Sequence, residues 1–198
     1  MKKILSLALI ATFYVQNLSS QTVKFDVIFK GDKIGTTTVT RIVGSNGQVT
    51  IELKGESNAS VLFVKRNIKT HYTSVYENGS LVKTNSTYEV NGELDSYVKA
   101  VWDGSKYTVE TERGKSTQSA KVVYSVLSLF FSEPVGKTEI WSERIGGMVP
   151  LKNLGSNRYV FKNAIKGGSD NIYKYKDGKL YEVEMSTPVG ASYMRPTK

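Results

Sequence analysis

YTSVYENGSLVKTNSTYEVNGELDSYVKAVWDGSKYTVETE, Tyr72 to Glu112, sets four strand-length runs around three turns. Asn78-Gly79, Asn91-Gly92 and Asp103-Gly104 supply the left-handed backbone that tight hairpins need. Between them, Ser80 to Val90, Glu93 to Trp102 and Ser105 to Glu112 alternate apolar and polar residues. A period of two buries one face and wets the other. Hairpins in series describe an antiparallel meander, each strand pairing its neighbour.

Upstream, the pattern reaches back to Val61. Leu62, Val64, Ile68, Tyr72 and Tyr76 share one face, with Lys65, Asn67, Lys69 and His71 opposite. At ~3.3 Å per residue the run from Val61 to Tyr76 spans about 50 Å, so it is expected to bend or bulge near Arg66-Asn67. Before it lie Thr22 to Lys30, with Val23, Phe25, Val27 and Phe29 on one face, then Ile34 to Val43 and Gln48 to Gly55. Downstream, Lys137 to Arg144, Met148 to Leu154, Arg158 to Lys162, Asn171 to Lys176 and Lys179 to Met185 read as further strands. An extended tail to Lys198 follows.

One segment breaks the rule. Ser116 to Gln118 is polar and able to cap a helix. Lys121 to Phe131 is then apolar on nearly every side until Ser132-Glu133-Pro134 ends it. A short helix is expected there, plugging the concave side of the sheet. Val122 and Val123 favour a strand as the alternative. The fold class is therefore mainly β: a single curved antiparallel sheet, or a half-open or closed β barrel, with one short helix on the concave face.

The first residues carry a different message. Met1-Lys2-Lys3 is basic, Ile4 to Val15 is almost wholly apolar, and Leu18-Ser19-Ser20 offers a cleavage site before Gln21. That is the pattern of a secretory signal peptide, residues 1–20. Cleavage leaves 178 residues, 21–198, which suits a single β domain with a sizeable core. No cysteine is present, so the core uses no disulfide and no thiol chemistry is available. A bacterial periplasmic or secreted protein fits better than a small eukaryotic secreted domain. No later apolar run approaches the ~20 residues of a membrane helix, so the expectation is a protein that is not transmembrane. The formal net charge is +9. Lysines scattered over many strands serve solubility, and could also meet anionic headgroups or an acidic partner. Nucleic acid is not an expected partner.

Three stretches carry a resemblance: FDVIFKGDKIG at Phe25 to Gly35, SVLSLFFSEPVG at Ser125 to Gly136, and YKYKDGKLYEVEM at Tyr173 to Met185. The chain resembles uncharacterised exported β proteins of the Bacteroidetes, and more distantly the DUF3108-type envelope proteins. These are similar in outline to curved-sheet carriers such as the lipoprotein carrier LolA. The resemblance implies a half-open barrel with an apolar interior closed by helices. This chain has one short helix where LolA-like carriers have several.

Catalytic groups are scarce. His71 is the only histidine and falls on the wet face of its strand. No G-x-S-x-G elbow supplies a nucleophile, and one histidine without cysteine leaves zinc short of ligands. No calcium loop occurs, and the paired glycines precede strands rather than helices, so neither cradles a phosphate. The expectation is a non-enzyme with no cofactor and no metal.

Aromatic residues are the remaining signal, with 12 Tyr, 7 Phe and 2 Trp. Tyr72, Tyr76, Tyr88 and Trp102 fall on apolar faces, while Tyr97 and Tyr107 are read as facing the other way. Such rings suit ordinary sheet packing and equally a ligand groove. The candidate ligand-binding set is Leu62, Tyr72, Tyr88 and Trp102 on the sheet side, with Val122, Val126, Phe130 and Phe131 on the helix side. Two functions stay open: an envelope module binding a lipid-like or amphipathic ligand inside the sheet, and a structural or assembly protein acting through an envelope partner with no small ligand.

Overall fold

A computed structural model describes residues 19–61, 64–161, 170–187 and 190–197. The strands are β1 (Ser19–Phe29), β2 (Asp32–Val43), β3 (Val49–Val61), β4 (Val64–Glu77), β5 (Ser80–Val90), β6 (Glu93–Trp102) and β7 (Tyr107–Thr111). They continue as β8 (Gly114–Gln118), β9 (Glu139–Ser142), β10 (Gly147–Gly155), β11 (Arg158–Phe161), β12 (Asn171–Lys176), β13 (Lys179–Thr187) and β14 (Gly190–Pro196). All pair antiparallel in one 14-stranded sheet ordered β8-β7-β6-β5-β4-β3-β2-β1-β14-β13-β12-β11-β10-β9. The sheet is curved and does not close into a barrel. The expected signal peptide lies outside the described residues save Ser19 and Ser20, which begin β1.

Turn chemistry sets the hairpins. Asn78-Gly79, Asn91-Gly92 and Asp177-Gly178 each hold two consecutive residues at positive φ, the backbone of the twist-matched two-residue turn. Inward faces then follow from the register. Across β2 to β6, Val39, Leu53, Tyr72, Ser86 and Val98 stand opposite one another in turn. The neighbouring row is Thr37, Gly55, Thr70, Tyr88 and Ser96.

Contacts across the concavity demonstrate the curl. Ser74 of β4 and Ser86 of β5 hydrogen-bond Glu143, in the turn between β9 and β10 at the far end of the strand order. The Phe130 ring lies 5.5 Å from that of Phe25 on β1 and 6.1 Å from that of Tyr173 on β12.

The expected helix over Lys121 to Phe131 shrinks to a single 3₁₀ turn, Leu127–Phe130. The residues before it form an extended strap. Leu81 N–H donates to the Val122 carbonyl at 2.7 Å, Trp141 N–H to Tyr124 at 3.1 Å, and Val126 N–H to Trp141 at 2.9 Å. These bonds claim backbone groups that a helix would use internally, and the β-branched valines resist helix less than they favour extension. The strap thereby covers part of the edge of β9, while the 3₁₀ turn fills the interior, with Leu127 and Leu129 fully buried.

Four strand tyrosines hold this plug. Tyr76 donates to Ser125 Oγ at 2.7 Å, Tyr159 to Glu133 at 2.9 Å and Tyr175 to the Leu129 carbonyl at 2.7 Å. Tyr107 donates to the Leu81 carbonyl at 2.7 Å and accepts from Val122 N–H at 3.1 Å. Tyr107 is thus core, not outward as its sequence position suggested. It pairs with Trp102 across a four-residue connection, which puts both rings on one face.

Three other expectations are corrected. Val61 ends β3 rather than starting the next strand, and the described part of the expected run, Val64 to Tyr76, lies within β4. Arg66 and Asn67 pair regularly with Ala59 and Asn58, and the irregularity falls instead between Val75 and Tyr76. Ser116 to Gln118 caps no helix but completes β8, an exposed polar edge strand.

Candidate functional site

The inner face of β4 to β6 is built from unexpectedly small side chains. Ser74, Thr84, Ser86, Ser96 and Ala100 are all buried. They leave room for the turn after β9, Ser142 to Gly146, to fold against them. Gly146 sits at φ +72°, and a Cβ there would fall 2.8 Å from Val109 and 3.0 Å from Val98. Only glycine lets the turn approach this closely.

The turn carries Glu143 and Arg144 into the concavity. Glu143 is 1% exposed. Ser74 donates to its Oε1 at 3.0 Å and Ser86 donates to its carbonyl at 2.5 Å. Oε2 has no hydrogen-bond partner among the described residues. Burial pushes the carboxyl up to about 7, although Ser125, Ser74 and the N–H groups of Glu143 and Leu127 oppose that rise.

Arg144 turns toward the open end. Its guanidinium stacks on the Tyr88 ring at 3.3 Å from the centroid, a planar cation on a π face. Its Nη2 meets Asp95 at 3.4 Å. Its Nε is buried with no partner among the described residues, as is the hydroxyl of Ser96, directly across the ladder from Tyr88. The Tyr72 hydroxyl belongs to the same cluster. Burial pushes its pKa up, with Arg144 acting against the rise and Tyr88 and Glu143 adding to it.

The sequence-derived candidates divide. Tyr72 and Tyr88 come together, both half-buried on the inner face beside Arg144. Phe130 is buried between Phe25 and Tyr173, and Val122 is buried in the strap. Val126 and Phe131 are partly buried against the same core. Trp102 stands apart. It lies six positions beyond Ser96 along β6, about 20 Å of strand. It packs on Tyr107 at 4.7 Å under Lys121, beside a shallow cleft lined also by Glu77, Asn78 and Leu81. Leu62 lies outside the described residues.

Glu143 and Arg144 escaped the sequence reading because they stand where a strand, Lys137 to Arg144, was expected to end. β9 in fact stops at Ser142. The available signal was on the partner strands: hydroxyl residues recurring at the inward positions of β4, β5 and β6. His71, by contrast, is exposed as expected and pairs with Glu52 at 2.7 Å. Among the described residues no group of three or more His, Cys, Asp or Glu is placed to hold a metal ion. No described helix is long and apolar enough to cross a membrane.

Residues 25–197 match the family described as Domain of unknown function (DUF6134). The chain belongs to this family. Among the solved structures it is similar to a β-barrel-like protein of Domain of Unknown Function DUF1849 from Brucella abortus. The two share a TM-score of 0.58 and 10% sequence identity, over 93% of this chain and 98% of that one. At that identity the likeness is one of fold. No curated protein matches the chain. These relatives agree with an uncharacterised, β-barrel-like domain, and none indicates an enzyme family.

Proposed function

We propose that this DUF6134 chain is an exported, non-enzymatic bacterial envelope protein that binds a lipid-like or amphipathic ligand on the inner face of its curved sheet. The binding end is the one marked by Tyr72, Tyr88 and Arg144. The observation that carries this reading is the partial exposure of two inward aromatic rings beside a stacked cation. Neighbouring inward residues such as Val39, Ile51 and Val98 are buried. Rings left accessible on such a face offer an apolar surface, and each Å² of ligand covered there contributes about 25 cal/mol. The basic net charge and the signal-like residues 1–20 support an exported protein working near anionic lipids.

Native mass spectrometry of the protein purified from its own envelope, followed by lipid extraction, tests this. A bound mass of lipid size is expected. A bare polypeptide mass, before and after incubation with envelope lipids, refutes it.

The alternative is a structural or assembly protein acting through an envelope partner. It draws support from the close packing of Val122 and Phe130, which fill space that a deep carrier cavity would leave open, and from the exposed edge strand β8.

A further inference from the structure

Two cations at the β12 to β14 side of the sheet are spent in short pairs. Lys174 meets Glu182 and Glu184, and Arg195 meets Glu182, all at 2.7 Å. Arg144 is not. Its contact with Asp95 is 3.4 Å, long beside the 2.7–2.9 Å usual for charge-assisted bonds. Asp95 is itself half exposed, so the pair is weak and screened. The guanidinium is nevertheless fixed in place. Its plane rests on Tyr88, and its backbone is pinned by the Ser86 bond to Glu143 and by the N–H groups of Ile145 and Gly146 on Ser142. An arginine positioned in advance, held by a hydrogen bond to Tyr72 and the long Asp95 contact with Nε unpartnered among the described residues, keeps donors for a planar or tetrahedral oxyanion.

We infer that Arg144 is the headgroup-recognition residue of this protein, taking the carboxylate or phosphate of an amphiphile whose apolar part lies on Tyr72 and Tyr88. Asp95 occupies the guanidinium in the unliganded protein and is displaced by the incoming anion. Ser96, opposite Tyr88 in the strand ladder, has a buried hydroxyl with no partner among the described residues and adds a donor. Glu143, the adjoining acid, is raised by burial and so is only partly ionised near pH 7, which lessens its cancellation of the arginine charge. This inference rests on the binding reading above and narrows it to anionic ligands.

The test is calorimetric titration of the full chain with dodecanoate, dodecyl phosphate and dodecanol, which share one apolar chain. Wild type should bind the anions at least about tenfold more tightly than the alcohol. Whichever anion binds more tightly identifies the headgroup source. Arg144→Gln should bind all three alike. Asp95→Asn, a change at an exposed site that leaves the core untouched, should tighten both anions several-fold and leave dodecanol unchanged. Equal binding of all three by wild type, an anion preference retained in Arg144→Gln, or no gain in Asp95→Asn overturns the role of Arg144 while leaving ligand binding intact. Failure of wild type to bind any of the three removes the binding reading itself.

Discussion

Replacing Glu143 by Gln should make the protein more stable at pH 8 than the natural chain, although it alters a buried, hydrogen-bonded side chain. In the folded protein burial raises the Glu143 carboxyl from 4.5 to about 7. In the unfolded chain it returns to its ordinary value. The folded state therefore holds the proton more tightly. The acid form carries no penalty below pH 4.5. As pH rises from there through 7 the unfolded chain ionises first, and stability falls. At about 1.4 kcal/mol for each tenfold in proton affinity, the fall amounts to about 3 kcal/mol. Gln cannot ionise and still accepts the Ser74 bond. The stability difference between Glu143→Gln and wild type should thus move by about 3 kcal/mol in favour of the variant between pH 4 and pH 8. In urea this is a relative midpoint shift of roughly 1 M. Other carboxyls, such as Asp26 and Glu52, titrate alike in both proteins and cancel in the difference. A difference that stays flat within about 0.5 kcal/mol from pH 4 to pH 8 would refute the claim that this carboxyl is buried and poorly compensated.

Three further outcomes follow from the packing. Gly146→Ala should cost about 1–3 kcal/mol in urea unfolding, because the new Cβ meets Val98 and Val109 in a left-handed backbone; unchanged stability would mean that the turn does not lie against β6 and β7. Tyr107→Phe strands the Val122 N–H and removes a donor from Leu81, both buried, and should cost about 1–3 kcal/mol. Its signature should be faster amide exchange in the strap, at Val122 and Leu81, and uniform protection would argue against it. His71→Ala should alter stability by less than about 0.5 kcal/mol, since its partner Glu52 and the ring both face water; a larger loss in thermal melting would contradict the assignment of that face as solvated.

The hairpins were legible because local chemistry decides them. Asn-Gly and Asp-Gly turns fix the reversal, and the period of two fixes which side chains turn inward. His71 and the row of Val23, Phe25 and Val27 fell where alternation put them. What stayed hidden depended on partners distant in sequence. The strap around Val122 reads as helix by hydrophobicity alone. It is extended because Leu81 and Trp141, some 40 and 20 residues away, bond its backbone. β8 has no apolar alternation to betray it, as it gains its place only by pairing β7 at the sheet edge. Tyr107 was misplaced because the connection after Trp102 is two residues longer than a two-residue turn. In the site, Tyr72 and Tyr88 were visible as inward aromatics. Glu143 and Arg144 were not, since a charged pair in the concavity makes sense only once Ser74, Ser86 and Ser96 are seen lining the opposite wall.

The pairing of β1 with β14 has a consequence for how the chain acquires its structure. β1 to β8 form one ladder of consecutive hairpins, and β9 to β14 another. The two join where Phe25 to Phe29 meet Ser192 to Pro196, and Thr197 bonds Asp26 from 171 positions away. Each ladder can assemble from neighbours in sequence, but the seam between them cannot form until β14 has been synthesised. Contacts of such long range are the slow ones in folding. Until then β1 offers a bare edge to any passing strand. A polypeptide organised this way stays incomplete, and adhesive, for as long as it is being made. Its demand on chaperones while it folds is therefore set by its last strand and not by its first.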